Sequence, residues 1–518
     1  MYRILGALLA PLLALSFPPA PRAAFDAAHF TATVERAMAD WQVPGLAVAV
    51  LEEGVPVYAR GFGHTALGDG RPVTRETFFI NASTTKAMVA AGLLMLVDEG
   101  RVALDDPVID YLPELHFGDP ALTPQVTLRD LLTHRTGLPS TDFWTFNQGM
   151  PLAEQLPRLR QVAPVAAPRA RKIYQNTMYE LAGLVIERVS GEPWASFLAR
   201  RLWRPLGMRT VATRDALPAD APRSTPYGLF DGELREVNHS LRGPVADAAG
   251  SAWSTLDDML RWIGFLLRGG VTDHGERLLS EEALAEMFRP QQLVAEDDYY
   301  PTAALTRPHW ISYGLGWYQQ DFQGRKIDYH TGSLNGAVAI VGLDRAADRA
   351  MVMFANRGGA ELRHALLWAV MDQADAAPRR DWHAAVREIY VERAQRRAQR
   401  RREIAAGRRA RPPSLPLAAY AGRYQSPRGG PLALCAEDAG LRLATRVRRY
   451  RLSPWHGETF RLSHADWAQP DFARFTLTPA GDIAAVEAFG MHFTRRAASA
   501  SDTPLADCST LSVAGERP

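Results

Sequence analysis

The order of apolar runs along the chain restricts its fold more than any other feature: strand-like segments stand on both sides of a long, helix-like middle. Near the N-terminus, Leu46 to Leu51 reads as a buried strand, and Val55 to Arg60 returns across the Glu52-Glu53-Gly54 turn as its hairpin partner. An amphipathic helix, Ala27 to Trp41, comes before them and stops at Val43-Pro44-Gly45. Periodicity then predicts helices over Ala87 to Glu99, Leu128 to Leu132, Thr177 to Ser190, Trp194 to Leu202 and Thr255 to Leu267. Strands resume at Lys326 to Tyr329, Ala337 to Leu343 and Ala350 to Ala355. This order implies that the terminal strands share one sheet, giving an α/β domain over residues 25–375.

A composition break follows. Arg393 to Arg411 carries nine arginines, then Pro412-Pro413-Ser414-Leu415-Pro416 closes the run. A basic run of this kind suits a nucleic-acid or membrane patch, or a solvated helix. Glu392, Glu403 and the helix-forming residues between the arginines favour a helical linker over residues 376–415. The net charge of only +2 gives no overall field toward nucleic acid, and no such partner is expected. Beyond it, short β-like runs at Leu432 to Cys435, Leu441 to Thr445, Phe460 to Leu462, Phe472 to Leu477 and Ile483 to Phe493 predict a small antiparallel barrel or sandwich over residues 416–497. A polar tail, 498–518, ends the chain, and no internal repeat is evident.

Residues 1–24 read as a secretory signal: Arg3, an apolar stretch from Ile4 to Phe17 broken by Pro11, then Ala23 and Ala24 as cleavage candidates. The expected location is periplasmic or secreted, with an uncleaved anchor or a disordered start as the alternative. No later stretch is long and apolar enough for a transmembrane helix. The two cysteines, Cys435 and Cys508, read as structural, and their pairing is left open by sequence.

Three of the 59 basic residues are lysines, Lys86, Lys172 and Lys326. Lys86 follows Ser83 by three positions in Asn81-Ala82-Ser83-Thr84-Thr85-Lys86, a spacing that brings a hydroxyl and an amine onto one helix face. An amine is a base only when desolvated, and Ala82, Ala87 and Met88 offer apolar surroundings. Ser83 at the start of the helix lies near the positive end of its dipole, which favours an activated oxygen. Alone, Ser-x-x-Lys is a weak signal. Further on stand Tyr174-Gln175-Asn176, opening a helix, and His330-Thr331-Gly332-Ser333, at the edge of a strand.

That succession of Ser-x-x-Lys, Tyr-x-Asn and His-Thr-Gly resembles the penicillin-recognising serine hydrolases, notably class C β-lactamases, D-aminopeptidases, carboxypeptidases and related esterases. Val43-Pro44-Gly45, Leu131 to Leu138, Pro205-Leu206-Gly207-Met208 and Tyr313 to Trp317 extend the likeness. Tyr420-Ala421-Gly422-Arg423-Tyr424 resembles the opening of a lipocalin-like appendage. The resemblance implies an antiparallel sheet flanked by helices with a helical subdomain, followed by a small antiparallel β-barrel. It implies Ser83 as nucleophile, Lys86 and Tyr174 as coupled proton carriers, and His330 as a fourth catalytic position. The backbone N–H groups of Ser83 and Ser333 become the oxyanion hole, and Asn176, Thr331 and Gly332 contact substrate. No metal or other cofactor is implied.

Histidine replaces the lysine of class C β-lactamases at position 330. Being mostly neutral at pH 7, it weakens attraction to a substrate carboxylate and favours peptidase or esterase chemistry on small peptides, D-amino-acid amides or esters. Weak β-lactamase activity and a non-catalytic receptor for cell-wall peptides or β-lactams are the alternatives. Lys172 and Lys326 are candidates to compensate, against the plainer expectation that both are solvated. His134 reads as a loop-fixing residue, and most tryptophans as core. His29, His64, His239, His274 and His309 lack metal-site spacing. The C-terminal domain is a candidate for shielding the cleft, oligomerisation or partner binding.

Overall fold

The computed structural model describes residues 24–68, 70–230, 232–237, 247–373, 380–406, 411–463 and 471–496. Residues 1–23 of the expected signal segment, His239, Cys508 and the polar tail lie outside the described residues.

One antiparallel sheet carries the larger domain. Its strands are β1 (Gly45–Glu52), β2 (Val55–Gly63), β3 (Gln292–Leu293), β4 (Ile311–Tyr313), β5 (Tyr318–Phe322), β6 (Arg325–Leu334), β7 (Ala337–Asp344) and β8 (Arg349–Ala355), in the order β2-β1-β8-β7-β6-β5-β4-β3. The first strands thus pair with the last, as the order of apolar runs predicts: Val48 faces Met353 across the β1–β8 ladder. Both faces are covered, and alternation along each strand sorts side chains between two cores. Ala47, Ala49, Val352 and Phe354 enter the core beneath the helical subdomain. Leu46, Val48, Val50 and Met353 enter the other, under α1 (Ala27–Asp40).

Within the helical subdomain, α2 (Thr85–Asp98) is buried on every side from Thr85 to Leu96. From Ala87 to Leu96 its side chains are apolar all round, so no orientation leaves that stretch a wet face. Around it stand α3 (Leu128–Leu132), α4 (Asp142–Phe146), α5 (Asn176–Ser190) and α6 (Leu256–Leu267). The helix expected over Trp194 to Leu202 runs as α-helix only to Leu198 and continues as a π turn over Ala199–Trp203. Behind the sheet, α7 (Leu362–Asp372) packs on α8 (Trp382–Ala406), the helix that carries the arginine run from Arg393 to Arg402. Only Trp382, His383 and Val386 of α8 are buried. Among the described residues no helix is long and apolar enough to cross a membrane.

The C-terminal strands close into a barrel of eight, paired in chain order: β9 (Gly422–Ser426), β10 (Gly430–Glu437), β11 (Gly440–Ala444), β12 (Arg449–His456), β13 (Thr459–Ser463), β14 (Asp471–Leu477), β15 (Ile483–Ala488) and β16 (Met491–Arg495). Closure removes every sheet edge. The run expected as one strand from Ile483 to Phe493 is two. Phe489 (φ +56°) and Gly490 (φ +67°) form the tight turn between them. Phenylalanine is not a turn former, and it holds this backbone because its ring packs on Tyr450 (4.9 Å) and Phe143 (5.0 Å).

Candidate active site

Ser83 stands on a single 3-10 turn, Ala82–Thr84, between the short strand Phe79–Ile80 and α2. From Thr77 to Leu96 it is the one residue that is not buried. Ala82 turns the chain there with φ at +47°, a strained region for a residue with a Cβ. The turn lies against β6. A Cβ on Gly332 would come 2.3 Å from the Asn81 carbonyl oxygen, so only glycine permits this approach. His330 to Ser333 occupy the C-terminal half of the ten-residue strand, which runs on past the expected Tyr329 and ends one residue beyond Ser333. β5 pairs with β6 only up to Tyr329, and beyond it the strand runs past the Ser83 turn while β7 continues to pair with it.

Lys86, the second residue of α2, is fully buried and makes three hydrogen bonds: to Ser83 Oγ (3.1 Å), Asn176 Oδ1 (2.8 Å) and the Ala249 carbonyl (2.6 Å). Burial drives its amine down to about 7, against opposing pull from Asp247, Asp142 and Glu180. The Tyr174 phenol lies beside Ser83, whose side chain works against the rise in its proton affinity, and its ring centroid lies 5.0 Å from Lys86 Nζ. Burial pushes this phenol well above its ordinary range. A neutral amine beside a neutral phenol is thus favoured over ammonium and phenolate. The four residues Ser83, Lys86, Tyr174 and Asn176 meet in one place.

His330 lies beside them, 6.2 Å from Tyr174 between ring centroids. Its Nδ1 faces the Thr331 carbonyl at 2.7 Å, and a carbonyl only accepts, so Nδ1 carries the proton. Nε2 then accepts from Tyr313 OH at 2.9 Å. Burial lowers this imidazole to about 3, and it stays neutral. His134 accepts the Gln175 N–H at 3.2 Å and packs on Tyr174 at 4.3 Å, fixing the loop ahead of α5.

Three partners escaped the sequence reading. Asp142 Oδ1 accepts from Asn176 Nδ2 at 3.0 Å, which fixes the amide so that its oxygen faces Lys86. Arg363, clamped by both oxygens of Glu361 (3.0 Å each), donates to the Gly332 carbonyl (2.6 Å) and Ser333 Oγ (2.7 Å), steadying β6. Tyr300 OH bonds Thr331 Oγ1 at 2.6 Å. None belongs to a local motif, and only the fold brings them in. The two lysines proposed to compensate for His330 diverge. Lys326 is spent on Asp328 (2.9 Å) and the Phe288 carbonyl (2.5 Å). Lys172 is 5% exposed, far from solvated; it donates to Tyr318 OH (2.8 Å) with Nζ 5.3 Å from the Tyr174 ring centroid.

An antiparallel sheet backed by helices, with a serine standing on a helix-leading turn over a buried amine, defines a class as well as a geometry. The chain belongs to the Beta-lactamase family, whose profile matches residues 30–376. It is a serine hydrolase. Residues 407–501 match a family described as a domain of unknown function, DUF3471. Unguisins hydrolase ungD of Aspergillus violaceofuscus is 28% identical over 459 residues, 81% of this chain and 78% of that protein. The octameric penicillin-binding protein homologue from Pyrococcus abyssi shares the fold with a TM-score of 0.60 at 21% identity, covering 91% of this chain and all of that one. A D-stereospecific amidohydrolase from Streptomyces sp. aligns with a TM-score of 0.54 at 27% identity over 67% of this chain and 98% of its own.

Proposed function

We propose that the protein is an exported hydrolase that opens amide or ester bonds through an acyl-enzyme on Ser83, with small peptides or D-amino-acid amides as substrates. One observation carries the mechanism. Two of the three groups bonded to Lys86, Asn176 Oδ1 and the Ala249 carbonyl, are acceptor-only, and they occupy both N–H bonds of a neutral amine. The amine lone pair is then left for Ser83 Oγ at 3.1 Å, where it serves as general base.

In this reading Lys86 takes the Ser83 proton as Oγ forms a bond to the substrate carbonyl carbon. The backbone N–H groups of Ser83 and Ser333 receive the oxyanion; losing one such donor costs about 10²–10³ in rate. Tyr174, beside Ser83, gives its proton to the leaving nitrogen or oxygen as that bond breaks and takes back the one held on Lys86. Water then attacks the Ser83 ester by the reverse path. Asn176, Thr331 and Gly332 align the substrate beside β6. His330 holds Tyr313 and the strand as a neutral group, which supports peptidase or esterase chemistry over efficient β-lactam hydrolysis. The D-stereospecific amidohydrolase among the similar structures supports the substrate class. The signal-like N-terminus supports export.

The test is intact-mass analysis after incubation with a fluorophosphonate, with peptide mapping and Ser83→Ala alongside. A single adduct on Ser83, absent from the variant, and a loss of turnover of at least about 10³-fold in Ser83→Ala are expected. Retained turnover in Ser83→Ala refutes the mechanism; ligand binding without adduct or turnover assigns the cleft to a receptor.

A further inference from the structure

The C-terminal barrel meets the larger domain mainly at the short segment that carries Asp142. Helix α4 is five residues long, and its N-cap, Thr141, makes no capping bond, so it does not sustain itself. It is held from two sides: Trp144, fully buried, belongs to the core of the helical subdomain, and the barrel seats the other flank. The Phe143 ring belongs to both cores: it packs on the helical subdomain and caps the barrel interior against Phe489 (5.0 Å) and Phe493 (6.5 Å). Gln148, fully buried, donates to the carbonyls of Gly429 (2.7 Å) and Pro431 (2.9 Å) and accepts from the Arg446 N–H (3.3 Å). Arg448 donates to the Phe146 carbonyl (2.7 Å), and Trp144 to that of Arg428. The barrel groups come from the β9–β10, β11–β12 and β15–β16 turns, which open on one end of an up-and-down barrel.

Asp142 is the first residue of α4. It accepts from both Nδ2 (3.0 Å) and the backbone N–H (3.4 Å) of Asn176, whose oxygen faces Lys86. Thr141 to Thr177 (2.8 Å) and Gln155 to Thr145 (3.1 Å) tie the segment to the catalytic domain as well. Loss of the barrel contact therefore loosens α4 without freeing it.

We propose that the barrel is an intramolecular brace for the catalytic amine: by seating Phe143 and Gln148 it fixes α4, so that Asp142 keeps Asn176 turned toward Lys86. Phe143 and Gln148 are positioning residues in this scheme, and Asp142 transmits their placement. The inference rests on the acyl-enzyme reading of Ser83 and Lys86.

The experiment measures the rate constant and final amplitude of Ser83 labelling by a fluorophosphonate, and kcat and KM on a p-nitrophenyl ester, in the full chain. The variants are Phe489→Ala, Gln148→Ala and their double. Phe460→Ala, which opens the barrel core at the opposite end, controls for barrel destabilisation. The brace requires labelling to slow at least about tenfold in the double variant at full amplitude, with kcat falling and KM little changed, while Phe460→Ala labels at the wild-type rate. Lost amplitude at a wild-type rate constant reports misfolding alone and overturns the brace. So does a double variant that labels as fast as wild type. Absence of any adduct on the wild-type chain overturns the acyl-enzyme reading itself, and the brace with it.

Discussion

Replacing Lys86 by methionine abolishes the proposed base, and it changes the pH dependence of stability in a calculable way. Unfolded, this lysine holds its proton up to about pH 10.5; folded, burial releases it at about 7. Between those values unfolding takes up a proton, so raising the pH stabilises the wild-type fold. Integrating the linkage, the buried amine costs roughly 5 kcal/mol at pH 6 and roughly 2 kcal/mol at pH 9. Lys86→Met escapes both costs but strands the Asn176 and Ala249 oxygens, at about 1–3 kcal/mol each. The hydrogen-bond penalty is the same at both pH values and cancels in their difference. The stability gap between the two proteins should therefore move by roughly 3 kcal/mol in favour of wild type between pH 6 and pH 9. Urea unfolding followed by tryptophan fluorescence at pH 6, 7.5 and 9 measures it. A gap that stays constant, or moves the other way, refutes the account of Lys86 as a desolvated amine.

The same titration governs turnover. Because neutral Lys86 is the active form, kcat/KM on a p-nitrophenyl ester should rise through pH 7 and lie about 100-fold below its plateau at pH 5, a difference a flat profile contradicts. His330→Gln should keep that limb near pH 7 and lose no more than about tenfold in kcat, since the imidazole is already neutral; a vanished limb would reassign it to the histidine. Gly332→Ala drives a methyl into the Asn81 carbonyl and displaces β6 from the Ser83 turn. At least about 10²-fold loss of activity is expected with the circular dichroism spectrum intact, and wild-type turnover contradicts the close approach.

Strands, helices and their order were readable because each is written within a few residues. The alternation in β1 sorts side chains to two faces, and the apolar run of α2 leaves it no wet side. Even the first-to-last strand pairing followed from where the strands stand. The readings went astray where a distant partner overrides local preference. Phe489 makes a turn because Phe143 and Tyr450 hold its ring, and no neighbour in sequence announces this. Lys326 lies close to His330 along the chain yet serves Asp328.

The candidate site divides in the same way. By itself the sequence determined that Ser83 and Lys86 share one turn, because a three-residue spacing on a helix fixes their separation. It also marked the Tyr174, Asn176 and His330 segments by type and order. Only the tertiary structure decided what state those groups are in. The acceptors that orient the Lys86 amine lie 90 and 163 positions away, and the apolar walls that lower its proton affinity come from elements across the fold. Proton affinity is set by desolvation and by hydrogen-bond partners in space, and neither is a property of a short stretch of sequence.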